Sequence, residues 1–324
     1  MEKKELLDRV FRGEDVPRVP VGFWFHFLED AETGDAVADP GTIERNIAGH
    51  RAFIENFQPD MVKVMSDGFF RYPVEGPLES VSDLSGSIRE IDSSHPWIQK
   101  QLGLFASVSA IDPKNNYFYN VFSPLTTLRF MVGYPKIKSF LKESPSQVSD
   151  ALRAMGQGLS KLAGAIVSEH KGMGIYLSVQ NPDISAFSDA FYEEYVAPSE
   201  KSVLASANAA GGRNILHICG YSGVRNNVAF FGSYEAEAFN WAVQVEGIPL
   251  SKGRGLFPGK ALIGGFANPP GSLIHTGNRE GIQAFTKQLM EDAGNRSLVI
   301  GADCTVPNDI SLERLRWVRE AAIL

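Results

Sequence analysis

Short β-rich runs alternate with longer helical segments along this chain, and that alternation restricts the available folds more than any other feature. Eight runs stand out: Arg18–Phe25, Met61–Ser66, Tyr117–Phe122, Gly174–Val179, Ile215–Cys219, Ala238–Val243, Ala261–Gly265 and Ser297–Gly301. Several are apolar without interruption, as parallel strands are when both faces of the sheet are covered. The clearest helix follows Ser144-Pro145-Ser146-Gln147, where Ser144 offers a cap, Pro145 suits the first turn and Gln147 holds the reciprocal capping position. Val148, Leu152, Met155, Leu159, Leu162 and Ile166 then recur at three- and four-residue steps, and the stripe stops near Gly172. A last amphipathic helix runs through Leu312, Leu315 and Val318. This pattern predicts a (β/α)8 barrel of the TIM type, one domain over residues 1–324, in preference to an open doubly wound sheet. The roughly 50 residues between the second and third runs exceed a simple crossover and predict an inserted helix or hairpin there.

Composition excludes several function classes. A net charge of −7 and no lysine- and arginine-rich cluster argue against nucleic acid and anionic lipid as partners. No window approaches a membrane span, and the charged start Met1-Glu2-Lys3-Lys4-Glu5 is not followed by a signal-peptide core, so a cytoplasmic location is expected. Two cysteines in 324 residues do not make a disulfide framework and call for burial, reactivity or metal instead.

In a barrel, chemistry sits at the carboxyl ends of the strands. His217-Ile218-Cys219 ends the fifth run, and a period of two puts the histidine and the cysteine on one face. Cys304 follows the eighth run, at the same expected rim. Two thiolates and an imidazole are a normal zinc set, and three protein ligands leave a fourth position for a substrate thiol, which the metal would hold as a nucleophilic thiolate. The plainer alternative is that both cysteines are small buried hydrophobes and His217 a hydrogen-bonded core residue. Asp67, ending the second run, would point into the mouth, or else cap a helix. Asp183, after the fourth run, is a distant fourth ligand or a turn residue. His26 ends the first run and is a candidate binding group; His50, His95, His170 and His275 have no ligand partner at useful spacing. Gly253-Arg254-Gly255 and Gly264-Gly265-Phe266 lack the strand-turn-helix setting of a dinucleotide loop and are expected to be turns.

Four segments carry a resemblance to a known family: Arg12-Gly13-Glu14, Arg18-Val19-Pro20-Val21, Met65-Ser66-Asp67 and Ser123-Pro124-Leu125-Thr126. Together they resemble the uroporphyrinogen decarboxylase superfamily, whose fold is a (β/α)8 barrel and which includes both the heme-pathway decarboxylase and cobalamin-dependent methyltransferases. Against the decarboxylase, this chain has His26-Phe27-Leu28-Glu29-Asp30 where that enzyme has an arginine-rich segment for substrate carboxylates, Phe130 where the family has a tyrosine, and Ala302-Asp303-Cys304 where it has Gly-His-Gly. Only Asp67, which the resemblance implies would bind pyrrole N–H groups in the decarboxylase, is retained. His217-x-Cys219 with the distant Cys304 is instead similar to the zinc motif of the methylcobalamin:thiol methyltransferases, including the coenzyme M enzymes.

The resemblance therefore implies a zinc-dependent transfer of a methyl group from a methylcobalamin-type corrinoid, carried on a separate corrinoid protein, to a small thiol. Asp67 would then orient the acceptor or the corrinoid, and His26 and Asp183 would be binding groups. Uroporphyrinogen decarboxylation is the alternative enzyme, and a corrinoid-binding barrel without turnover is the third reading. Neither the acceptor nor the oligomeric state is readable.

Overall fold

A computed structural model describes residues 1–180 and 187–324. Seven strands form one parallel sheet in chain order: β1 (Val62–Val64), β2 (Tyr117–Phe122), β3 (Gly174–Val179), β4 (Ile215–Ile218), β5 (Ala238–Trp241), β6 (Ala261–Phe266) and β7 (Leu298–Ala302). Parallel neighbours need crossovers, and helices supply them, including Pro124–Val132, Pro145–Glu169, Ala197–Ala209, Leu250–Leu256 and Arg279–Ala293. The result is an α/β fold of TIM-like character.

The seven strands match seven of the eight expected runs, and the exception is the first. Arg18–Phe25 is extended but forms only isolated bridges, Arg18 to Ile323 and Val21 to Ile300. Its composition explains why. Pro17 and Pro20 have no N–H to give a ladder, and the N–H of Val21 goes to the Asp60 carboxylate at 2.8 Å rather than to a strand carbonyl. Arg18 grips the same carboxylate with two bonds of 2.6 Å. The run still lies against β7, with Gly22 N–H donating to the Ile300 carbonyl and Ile300 N–H to that of Pro20.

The strands are apolar throughout because each face meets a different core. Inside the barrel, Trp24, Met61, Met65, Phe118, Tyr176, Ile215, Ala238, Ala261, Ile263 and Val299 form one buried cluster. Outside it, the alternate positions, among them Val62, Val64, Tyr119, Leu177, Leu216 and Phe239, pack under the helices. The helix Pro145–Glu169 buries Val148, Leu152, Met155, Leu159, Leu162 and Ile166, the expected stripe. Its expected serine cap is absent: Ser144 makes no side-chain capping bond. Ser144 also ends the preceding helix Tyr134–Glu143 through its own N–H, and its torsions (φ −150°, ψ 81°) are not those that aim a hydroxyl at the first turn.

The two glycine segments expected to be turns are not turns. Gly253-Arg254-Gly255 lies in the helix Leu250–Leu256, with Gly253 so close to the Trp241 ring that a Cβ would fall 2.1 Å from it. Gly264 and Gly265 lie within β6 at φ +134° and +113°, where a side chain would be strained. Between β1 and β2 the chain forms two short turns of helix, Val81–Asp83 and Leu84–Ser87, and the helix Pro96–Ser109. Among the described residues no helix is long and apolar enough to cross a membrane.

Candidate metal centre

Because every strand runs the same way, their carboxyl ends share one rim. The inward-facing positions change character as they approach it. Above the apolar layer of Phe118, Tyr176, Ile215 and Ala238 come Asn120, Ser178, His217 and Asn240, two residues further along their strands. Ser178, His217 and Asn240 are register partners across β3, β4 and β5.

His217, Cys219 and Cys304 converge at this level, their ligand atoms all within 4.8 Å of one another. Cys219 follows β4, where its N–H continues the ladder to the Val179 carbonyl at 2.9 Å. Cys304 is brought in after β7 by Asp303, whose N–H bonds to the Phe266 carbonyl at 2.8 Å and whose buried carboxylate accepts from Gln244 N–H at 2.9 Å. Burial pushes the Asp303 carboxyl up to about 7.

The imidazole is oriented by Asn240. Its Oδ1 is hydrogen-bonded to Nδ1 of His217, while its Nδ2 donates to the carbonyls of Ile263 at 2.8 Å and Ala302 at 3.2 Å. Those two carbonyls fix which end of the amide is which. The acceptor end therefore faces His217, Nδ1 carries the proton, and Nε2 presents its lone pair to Cys304 Sγ, 3.6 Å away. With Zn–S near 2.3 Å and Zn–N near 2.1 Å, a tetrahedral zinc would separate these two atoms by about 3.6 Å. The donor set and spacing fit zinc. Within the cluster, Cys219 donates to Cys304, which holds the Cys304 thiol well below its ordinary value; His217 and Lys63 add to the effect. The same bond and burial hold the Cys219 thiol well above it.

A cavity of about 70 Å³ opens beside the cluster, lined by His26, Lys63, Phe70, Phe122, Arg129 and Tyr221 among others. The much roomier crevice of about 550 Å³ lies at the opposite, amino-terminal rim, around Asp8, Arg12, Asn116 and Lys260, and has no metal-ligating cluster among the described residues. His26 and Asp67 meet beside the cavity, His26 Nδ1 and Asp67 Oδ1 being 2.8 Å apart. Asp67 does not point freely into the mouth. It is 1% exposed, and its other oxygen accepts from Phe27 N–H at 2.7 Å. Asp183 lies outside the described residues. Of the remaining histidines, His50 is buried against Asn46 and Met65, His95 caps the helix Pro96–Ser109, and His275 lies 3.0 Å from the Asp309 carboxylate.

Three residues of this site escaped the sequence reading. Asn240 is one. Lys63, buried on the inner face of β1, sits 4.2 Å from the centre of the Tyr176 ring, and burial lowers its ammonium to about 8 against the opposing pull of both cysteines. Its signal was a lysine in the apolar run Met61-Val62-Lys63-Val64-Met65. Arg129 is carried by the helix Pro124–Val132, whose first turn is capped by Ser123. Its guanidinium lies 4.0 Å from the Tyr221 ring centre and 4.6 Å from that of Phe130, and its buried Nε has no hydrogen-bond partner among the described residues.

Comparison with known proteins bears on family and fold. The family model described as uroporphyrinogen decarboxylase (URO-D) matches residues 81–323. A methyltransferase from Methanosarcina mazei has a similar structure, with a TM-score of 0.75 at 16% identity over 99% of this chain and 98% of its own. A B12-independent methionine synthase from Shewanella sp. W3-18-1, in complex with selenomethionine, gives 0.59 at 10% identity over 95% and 97%. A β-mannanase from the blue mussel Mytilus edulis gives 0.50 at 11% identity over 93% and 91%. At such identities these likenesses establish the fold alone. No curated protein matches the sequence. With three quarters of its length matched by one family model, from within the first crossover to the end of the last helix, the chain belongs to the uroporphyrinogen decarboxylase (URO-D) family.

Proposed function

We propose that the protein is a methyltransferase that moves a methyl group from a methylated corrinoid, carried on a separate corrinoid protein, to a small thiol, using zinc held by His217, Cys219 and Cys304. The observation that carries this reading is the convergence of three soft ligand atoms within 4.8 Å, one imidazole already turned to offer its lone pair. Family membership and two structural neighbours named as methyltransferase and methionine synthase support it. Zinc bound there supplies a Lewis acid that stabilises a thiolate, and a methylcorrinoid supplies the methyl group.

The chain's own residues then have definable tasks. Asn240 keeps His217 in one tautomer. With zinc bound and both cysteines ionised, Lys63 would place a positive charge near two thiolates in a low-dielectric setting and offset their repulsion. Phe70, Phe122 and Phe130, with ring centroids 4.5 to 4.9 Å apart, form an apolar wall that keeps water off the reacting sulfur. The Arg129 guanidinium on the cavity wall suits an acceptor with an acidic group. The cavity admits the end of a small molecule; a macrocycle would have to approach from the rim.

Porphyrinogen decarboxylation fits less well, because both oxygens of Asp67 are already engaged by His26 and Phe27. Elemental analysis tests the proposal directly: about one zinc per chain is expected, lost in Cys219→Ala and Cys304→Ala together with methyl transfer. Full metal content and undiminished transfer in both variants would overturn it. Coproporphyrinogen formation from uroporphyrinogen, unaffected by chelator, would favour the decarboxylase. Corrinoid binding without methyl loss to any thiol would favour a non-catalytic barrel.

A further inference from the structure

Resting on that reading, we propose that His26 is the group that takes the proton of the acceptor thiol, and that Asp67 is the positioning residue that sets it for this task. The pair has a defined polarity. Asp67 is buried and accepts on both oxygens, from Phe27 N–H at 2.7 Å and from His26 Nδ1 at 2.8 Å. The shared proton therefore sits on Nδ1, and Nε2 of His26 carries the free lone pair. Packing of the imidazole on Phe70, with 5.7 Å between ring centroids, limits its rotation.

Four other charged or basic side chains on the cavity do not serve. His217 commits Nε2 to the cysteine cluster and Nδ1 to Asn240. Lys63, with its ammonium at about 8, already holds its proton at neutral pH, and Arg129 is a permanent cation. Glu32 lines the same cavity but is exposed, and among the described residues no hydrogen bond holds its carboxylate there. His26 is also placed to pass a proton on, since its side chain is 35% exposed while Asp67 is enclosed. In the step, the S–H bond of the thiol breaks and its electron pair stays on sulfur. A new N–H bond forms at His26 Nε2, Asp67 stabilises the resulting imidazolium, and the proton leaves to solvent from the exposed edge.

The roles of the two residues separate by experiment. In ¹⁵N NMR of the metal-free protein, His26 is expected as the Nδ1–H tautomer. Asp67→Asn should reverse it, because the amide keeps its oxygen for Phe27 N–H and turns its NH₂ toward Nδ1, leaving the imidazole proton on Nε2. With methylcobalamin as donor and mercaptopropionate as acceptor, His26→Ala should retain zinc and lose about 10²- to 10⁴-fold in transfer rate. Added imidazole should restore part of that rate, since the vacated position is solvent-accessible. His26→Gln keeps a donor toward Asp67 and controls for folding; it should be as slow as His26→Ala and refractory to imidazole. Wild-type His26 found as the Nε2–H tautomer would overturn the proposal, as would wild-type transfer rates in zinc-loaded His26→Gln. Failure of the zinc reading would appear instead as metal-free wild-type protein, with the tautomer experiment still deciding the His26–Asp67 arrangement.

Discussion

Asn240 is the residue whose replacement tests most sharply whether the metal site is pre-organised. Its amide bridges three neighbouring strands: Oδ1 to His217 on β4, Nδ2 to the carbonyls of Ile263 on β6 and Ala302 on β7. Asn240→Leu, close in shape, removes all three bonds. The His217 N–H is then buried without a partner, at a cost of about 1–3 kcal/mol in stability. The ring is also free to turn or to shift its proton to Nε2, and loss of such an orienting bond typically weakens metal binding about 10- to 100-fold. That range corresponds to about 1.4–2.7 kcal/mol of binding free energy. Competition between the protein and a chromophoric chelator measures the zinc affinity, and thermal unfolding of the metal-free form measures the first term. Asn240→Asp is the companion variant. It preserves an acceptor for His217 but sets a second oxygen against two carbonyls, so it should hold zinc better than the leucine variant. A folded Asn240→Leu protein that binds zinc within twofold of wild type would refute the orientation argument.

The remaining expectations concern residues around the centre. Cys219→Ala and Cys304→Ala should each lose stoichiometric zinc, read by elemental analysis of the purified proteins. Arg129→Met should raise KM for mercaptopropionate far more than for mercaptoethanol, on the order of 10-fold or more for loss of a charge-assisted bond; equal effects on both thiols would remove Arg129 from substrate recognition. Glu200 is fully buried between the hydroxyls of Tyr192 and Tyr234, at 2.9 and 2.7 Å, and burial raises its carboxyl to about 7. Its pKa in the folded chain thus exceeds the unfolded value of 4.5, so the native state binds the extra proton and stability falls as pH rises from about 4.5 to about 7. The loss is on the order of 3 kcal/mol. Glu200→Gln should flatten that slope in unfolding measurements at pH 5 and pH 8, and an unchanged slope would discount the group.

Much of the fold could be read from the chain because the strands are buried on both faces, so hydrophobic runs and turn residues coincide with real elements in seven cases. Arg18–Phe25 was misleading because composition makes it extended while Pro20, the preceding Pro17 and the Asp60 carboxylate deprive it of a ladder. Gly264 and Gly265 were misleading because glycine marks turns in general, whereas here it allows strand backbone at positive φ. At the candidate site, the convergence of His217, Cys219 and Cys304 was legible because residue type and strand-end position both pointed one way. Asn240 was not. An asparagine near a strand end reads as a turn residue, and its role depends on carbonyls of two strands that only the folded sheet brings near. Arg129 was hidden for a similar reason, since a lone arginine on a helix reads as surface charge until two rings and a cavity enclose it.

The placement of the three proposed ligands also bears on the order in which a newly made chain could acquire zinc. His217 lies on β4 and Cys219 directly follows it, but Cys304 follows β7, so a chain still emerging from the ribosome offers only two of these side chains until the last strand has been synthesised and docked. An ion held by all three is therefore a report of completed assembly. Nascent or truncated chains that stop short of residue 304 should exchange zinc rapidly, and a trapped ion would distinguish finished barrels from fragments.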